Sequence, residues 1–384
     1  MPYYSSLKKM QPSDRNRIVE GLQRIRKQFI RDEFPHKQMT KSLILGTWNI
    51  RNFDDNRFNY GPRSKESMYY IAEIISRFDV IAIQEICTDL TPLKKLMYIL
   101  GDDFDFIVTD VTHSSLGGNQ ERLGFIYDKR KVHFTGIAGE IVLPDKLLIS
   151  TTGKKRQFSR TPFGVGFQSG WFKFHFSTVH IYYGSNSGNT PLYKRRVDEI
   201  NAIASYLKKE AKNSDANHIL VGDFNIIKHG SEGFNALEKN GFKTVKNRIG
   251  SNRDQTKFYD QISFRSKRNE LALVDPKRED RVVQFFESLY RDEDFETYAP
   301  VLRESIAAKR AVALKEMAET SSKSKLKGLK KQIEKLDEAI SSPKELMAYY
   351  LEWRTFQLSD HLPLWVEIKI DFSDQYLTGL KKMK

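Results

Sequence analysis

Short apolar runs rich in β-branched and aromatic residues recur along most of this chain, and their spacing limits what it can fold into. They are LILGTWNI (43–50), VIAIQEI (80–86), FDFIV (104–108), LGFIY (123–127), WFKFHFSTVHI (171–181), HILVGDFNI (218–226), KFYDQISF (257–264) and LPLWVEIKI (362–370). Runs of this length and composition predict strands. Between them lie stretches with helical periodicity at 66–78, 91–100 and 191–212. Interspersed strands and helices predict an α/β (α+β) class with sheets as the central layers. At 384 residues the chain can bury one large core or two smaller ones.

The two regions outside this pattern are helical in character. From Asp14 to Arg31 the apolar residues Ile18, Leu22, Ile25 and Ile30 fall at helical spacing, within a segment (1–41) holding ten Lys/Arg and four Asp/Glu. We read it as a basic N-terminal helical extension packed on the main domain, 42–384, with its charged face in water rather than as a nucleic-acid arm. A second region, about 271–344, is rich in Lys, Glu and Ala. Leu326, Leu329, Ile333, Leu336 and Ile340 form a short heptad stripe there, and SSKSK (321–325) separates it from a helical run at 301–319. That pattern predicts an antiparallel helical hairpin inserted between two strands, too short for an independent coiled coil.

Lys and Arg number 63 against 49 Asp and Glu, a net charge of +14, which favours a polyanionic partner such as nucleic acid. The single cysteine, Cys87, rules out an internal disulfide and a cysteine-rich zinc site, and reads as a packing residue. No run reaches the roughly 18 apolar residues of a membrane span, and the N-terminus lacks the apolar stretch of a secretory signal. The expectation is a cytoplasmic (intracellular) protein with no membrane partner.

Asn49, Glu85, His180, Asp223, Asn225, Asp260 and the pair Asp360 and His361 stand at the ends of the β-rich runs. One such residue is ordinarily a turn or a helix cap. So many of these types predict convergence at one edge of the sheets. The inventory suits phosphoryl chemistry on a hard divalent ion: Glu85 and Asp360, with Asn49 as a neutral oxygen donor, could hold Mg2+, or Mn2+ in its place. Water attack on a phosphodiester also needs a base, an acid and donors for the developing charge, which His180, His361 and Asn225 could supply. Asp260 and Glu121 are candidates to orient the imidazoles. His36, His113, His133, His175, His218 and His229 read as structural or surface residues. GVGFQSG (164–170) has the wrong spacing for a dinucleotide loop, and there is no P-loop and no G-x-S-x-G elbow.

TWNIRNF (47–53), IQEI (83–86), LGGNQERLGFIYD (116–128), FSRTPFGVGF (158–167), STVHIYYG (177–184), VGDFNI (221–226), FYDQISF (258–264) and LSDHLPL (358–364) together resemble, in order, the endonuclease/exonuclease/phosphatase superfamily, most closely its deoxyribonuclease I branch. The resemblance implies a four-layer α/β/β/α sandwich. It implies Asn49, Glu85 and Asp360 at the metal, Glu121 paired with His180, Asp260 paired with His361, and Asp223 with Asn225 orienting water and stabilising the phosphorus. The preferred base is His361 with Asp260, and Asp223 is the competitor. Arg51 and, in the Asn-x-Glu-Arg run at 119–122, Arg122 would approach the DNA backbone.

Abasic-site members of the superfamily carry a Lys soon after the metal-binding Glu, where this chain has Ile86, Cys87 and Thr88. Inositol phosphatases carry Cys-Asp-Arg where it has Tyr259, Asp260 and Gln261. The expected function is a Mg2+-dependent endonuclease cleaving DNA phosphodiesters. Its alternatives are a phosphodiesterase or phosphatase on RNA or a small phosphoester, and a silent nucleic-acid-binding subunit. The basic, aromatic loop 51–63 would track the phosphate backbone, and the helical insertion would dock a protein partner or gate the substrate.

Overall fold

We describe a computed structural model, covering residues 2–53, 56, 58, 60–111, 120–150, 153, 155–266 and 271–382. Parts of the 51–63 loop and of the 116–128 motif, with His113 and Asn119, lie outside the described residues.

Two mixed sheets stack face to face. The first, in the order β11-β1-β2-β4-β3, is built from β1 (Ser42–Phe53), β2 (Val80–Ile86), β3 (Phe104–Val108), β4 (Arg122–Asp128) and β11 (Leu364–Lys369). The second, in the order β5-β6-β7-β8-β10-β9, comprises β5 (His133–Glu140), β6 (Phe163–Ser169), β7 (Phe172–His180), β8 (Asn217–Asp223), β9 (Lys243–Thr244) and β10 (Asp260–Arg265). Alternation along each strand splits its residues between two cores. In β1, Leu43 and Leu45 enter the inter-sheet core with Phe125, Phe176, Val221 and Val366, whereas Ile44, Trp48 and Ile50 face the helices outside.

The outer layers complete the expected sandwich. On the first sheet lie α1 (Pro12–Arg31), α2 (Lys65–Ile75) and α3 (Thr91–Leu100); on the second lie α4 (Pro191–Glu210) and α5 (Glu232–Lys239). The buried face of α1 is Ile18, Leu22, Ile25 and Phe29, whereas Ile30 is 70% exposed. The i, i+4, i+3 spacing continues to position 29, one residue before the one the sequence reading chose.

Besides the two-residue β9, two strands escaped the sequence reading for opposite reasons. Every residue of β5, an edge strand, is exposed, so it carries no alternating pattern. In β6 the inward Phe163, Val165 and Phe167 alternate with Gly164 and Gly166, and the glycines obscure the pattern. A Cβ on Gly166 would meet Thr135 Oγ1 at 2.4 Å, so neighbouring β5 leaves no room for one.

The insertion also departs from expectation. Residues 271–294 form no α-helix, only the 3-10 turns Phe285–Glu287 and Asp292–Asp294, and the first part runs along the outer side of β11: the amide of Val274 donates to Glu367 O (3.0 Å), while those of Trp365 and Lys369 donate to Arg281 O and Ala272 O (2.9 and 2.8 Å). The helices begin later, as α6 (Phe295–Glu319) and α7 (Lys323–Ala339), whose pairs Arg310–Asp337 and Lys325–Glu316 mark an antiparallel hairpin. A further helix, α8 (Pro343–Gln357), returns to the domain, burying Leu346, Tyr350, Trp353 and Phe356. Its start was legible: Pro343 occupies the first turn, and Ser342 accepts a hydrogen bond from the Glu345 amide. A C-terminal helix, α9 (Ser373–Lys382), follows β11. No described helix is long and apolar enough to cross a membrane.

Candidate active site

The convergence follows from strand register. His180, Asp223 and Asp260 form one row across β7, β8 and β10, since His180 pairs with Asp223 and Asp223 with Asp260. Parallel β7 and β8 end there, but antiparallel β10 begins there, so Asp260 opens its strand rather than closing it. Asp360 and His361 likewise precede β11, which runs antiparallel to β1. Strand beginnings and endings meet at one edge because the sheets are mixed. The other sheet contributes Asn49 from β1 and Glu85 from β2.

Asp223 is the centre of the cluster. Its Oδ2 lies 3.5 Å from His180 Nε2 and 3.7 Å from His361 Nε2, and it accepts a hydrogen bond from Asn49 Nδ2 (3.1 Å). Behind each imidazole stands a buried carboxylate: His361 Nδ1 is 2.8 Å from Asp260 Oδ2, and His180 Nδ1 is 3.1 Å from Glu121 Oε2. Burial alone would push the His361 ring down. The Asp260 and Asp223 carboxylates outweigh it and hold the ring well above the ordinary histidine range. Burial likewise opposes charge on Glu121, but His180 and Arg160 bring its carboxyl down to about 2.

Asn225 has a left-handed backbone, φ 53°, fixed by its amide donating to Asp223 Oδ1 (2.8 Å) and by buried Arg196 donating to its carbonyl (2.7 Å). One of its amide hydrogens goes to Ile181 O (2.9 Å). Glu85, also left-handed at φ 62°, accepts from Asn49 Nδ2 (2.9 Å) and from the Asn52 amide (2.8 Å). Asp360 is less enclosed, its side chain 40% exposed and 3.6 Å from Arg51 Nε.

The two arginines expected at a nucleic-acid backbone are engaged within the protein. Arg122 donates to the carbonyls of Cys87 and Thr88 (2.9 and 2.8 Å). Arg51 pairs with Glu352 (3.0 Å), donates to Thr355 and lies 3.8 Å from the Phe356 ring centroid.

Three contributors were not singled out from the sequence. Arg160, inside the FSRTP run, donates to Glu121 Oε2 at 2.7 Å. Ser359, inside the SDH run, donates to Asn49 O (2.6 Å) and accepts from the His361 amide (3.0 Å), locking β1 to the loop before β11. Arg196 carries no local motif signal, and only the fold brings it under Asn225.

Among the described residues, no group of three or more His, Cys, Asp or Glu side chains forms a metal cage. A magnesium site needs no such cage, because this ion usually keeps several waters and takes one or two carboxylates with substrate oxygens. The oxygens available fit that pattern. Asn49 Oδ1 is buried without a hydrogen-bond partner among the described residues, the same amide's nitrogen donates to the Glu85 carboxylate, and the Asp360 side chain is 40% exposed.

Face-to-face mixed sheets whose joined edges carry a carboxylate between two imidazoles define a phosphoester-hydrolase type of fold and site. The chain belongs to the Endonuclease/Exonuclease/phosphatase family, whose model matches residues 46–269. No curated protein sequence matches it. Similar solved structures include the mannosyl-6-phosphatase Bt3783 of Bacteroides thetaiotaomicron VPI-5482, 17% identical with a TM-score of 0.46, covering 60% of this chain and 87% of that one. Another is an endonuclease/exonuclease/phosphatase from Bacteroides vulgatus, 11% identical with a TM-score of 0.46 over 86% of this chain and 99% of that one. The human Nocturnin catalytic domain with bound sulfate is 11% identical with a TM-score of 0.41, covering 60% and 85% respectively.

Proposed function

We propose that this chain is a metal-assisted phosphodiesterase acting on a nucleic-acid strand, with DNA the polymer carried forward from the sequence. The observation supporting it is the single oxygen, Asp223 Oδ2, faced by the Nε2 atoms of two imidazoles that are each backed by a buried carboxylate. This geometry favours Asp223 over His361 as acceptor of the proton from the attacking water, with Asn49 and the Asn225 amide fixing the carboxylate's orientation. His361, oriented by Asp260, donates to a phosphoryl oxygen as negative charge develops. His180, oriented by Glu121, gives its proton to the leaving alkoxide. Asn49, Glu85 and Asp360 would hold the ion, which when bound polarises the phosphoryl group and stabilises the leaving oxygen.

A net charge of +14 supports a polyanionic substrate. One observation favours a second reading, a small phosphoester: both arginines expected at the backbone are spent on the protein's own oxygens. The test is nicking of supercoiled plasmid in magnesium against EDTA, beside hydrolysis of RNA and of bis(p-nitrophenyl) phosphate, with Asp223→Ala and His361→Ala variants. Metal-dependent cleavage of a polynucleotide lost in both variants is the expected result. Cleavage of bis(p-nitrophenyl) phosphate alone would overturn the nucleic-acid reading, and variants as active as wild type would overturn the site.

A further inference from the structure

Beside Asp360 the inserted helix α7 and the chain following β1 enclose a cleft of about 540 Å³, within the roughly 300–1,000 Å³ of small-ligand sites. One wall is aromatic. Tyr60 stacks on Phe356 at 4.6 Å with 13° between the rings, and Tyr349 leans on Tyr60 at 5.1 Å. The other wall is one face of α7, where Gly328, Lys331 and Lys335 line the cleft. Lys331 and Lys335 are exposed and form no ion pair among the described residues. Arg51 forms the inner end, lining the cleft and lying 3.6 Å from Asp360.

The aromatic wall is anchored in the fold, since Phe356 is buried and Tyr60 and Tyr349 pack against the main core, whereas the lysines opposite are exposed. Two lysines four residues apart face the same gap and have no ion-pair partner among the described residues, the one carboxylate lining it there, Glu352, being paired with Arg51, and a Cβ at Gly328 would meet nothing within 4 Å. Flat rings opposite ammonium groups are what a base attached to a phosphate requires. A paired base has both faces covered by its neighbours in the stack, so only an unpaired one can offer a face to the aromatic wall.

We infer that the cleft between α7 and the Tyr60–Phe356 stack is a subsite for one unpaired nucleotide, delivering a single strand of nucleic acid past Arg51 to the active site. The inference rests on the phosphodiesterase reading above and assigns its substrate a strand state. The base stacks on the tyrosine wall, the phosphates run along Lys331 and Lys335, and the chain's own helical insertion makes the subsite.

The test is fluorescence anisotropy of labelled oligothymidylate in EDTA, so that binding is read without turnover, with oligouridylate, thymidine monophosphate and a duplex as further arms. The variants are Lys331→Ala with Lys335→Ala, and Gly328→Trp, which fills the cleft from an exposed helix position. Each is expected to weaken single-strand binding about tenfold. The lysine variant should also lower the slope of log K against log salt by about 0.7 per lysine. The duplex should bind more weakly than the strand and be indifferent to Gly328→Trp. The monophosphate should compete only at far higher concentration than the strand. Single strands that do not bind wild type, or bind both variants as wild type, would overturn the inference, as would a duplex that binds equally and loses equally. Hydrolysis is scored separately: strand binding lost in the variants by a protein that cleaves nothing would sink the phosphodiesterase reading and leave the subsite standing, whereas cleaving variants with unchanged binding would do the reverse.

Discussion

Asn49 Nδ2 donates to Asp223 Oδ2 across 3.1 Å, a hydrogen bond that joins β1 in one sheet to the end of β8 in the other. The same amide nitrogen holds Glu85, leaving Asn49 Oδ1 buried and without a partner among the described residues. Asn49→Ala therefore removes a link between the sheets and an ion-facing oxygen together. We expect phosphodiester hydrolysis to fall at least about 100-fold, with a loss of about 1 kcal/mol in urea unfolding. Activity near wild type in the variant would show that the cross-sheet bond only shapes the fold.

Metal binding has its own signature. Magnesium at about 100 times its Kd should raise the unfolding free energy by about 2.7 kcal/mol. Asp360→Asn and Glu85→Gln should each shrink that gain, read as the magnesium-dependent shift of Tm. Chelation should return wild type to the metal-free melting curve. A shift that survives both substitutions would place the ion elsewhere.

The sequence made the chemistry of this edge readable but not its geometry. Asn49, Glu85, His180, Asp223, Asp260 and His361 announce themselves because polar groups beside apolar strands are conspicuous, and register does the rest. Arg160 and Arg196 were hidden because arginines in a basic chain are common, and only long-range packing sets them beneath Glu121 and Asn225. For Arg122, local sequence could not show that the carbonyls of Cys87 and Thr88 would claim its guanidinium. Strands with an inward apolar face were legible except β6, where glycines blur the alternation, whereas β5 offers no such face, and the coil beside β11 takes its form from that strand rather than from its own residues.

His218, on β8, should give the protein an acid-sensitive window. It is buried beside His175, with ring centroids 5.0 Å apart and neither of its ring nitrogens hydrogen-bonded. Burial pushes its pKa from the usual 6.5 down to about 4, with His175 and Arg265 adding to the effect. A folded-state value below the unfolded one means the unfolded chain takes up the proton first. Stability is therefore full above pH 6.5 and declines as pH falls from 6.5 towards 4, by about 2–3 kcal/mol. Urea melts across that range should show the decline, and His218→Phe should flatten it. An unchanged slope in the variant would assign the proton uptake to other groups.

The N-terminal helix is expected to behave as part of the core. Ile25 is fully buried, packed in one cluster with residues of α2, α6 and α8. Ile25→Ala should cost about 2–5 kcal/mol, whereas Ile30→Ala, at an exposed position, should cost little. Denaturant midpoints of the two variants make the comparison, and equal midpoints would argue that α1 only rests on the surface.

Asp260 opens β10, whose far end leads into the insertion, and His361 follows the last inserted helix, so the partners of one 2.8 Å contact flank the inserted helices in the chain. Whatever length of chain lies between them, the contact is made as long as both strands dock in their sheets. The enzyme is built like a tool with a fixed cutting edge and an exchangeable guide. The exposed outer turns of α6 and α7 can be lengthened or rebuilt without entering the core, while the edge itself stays ground to the same shape.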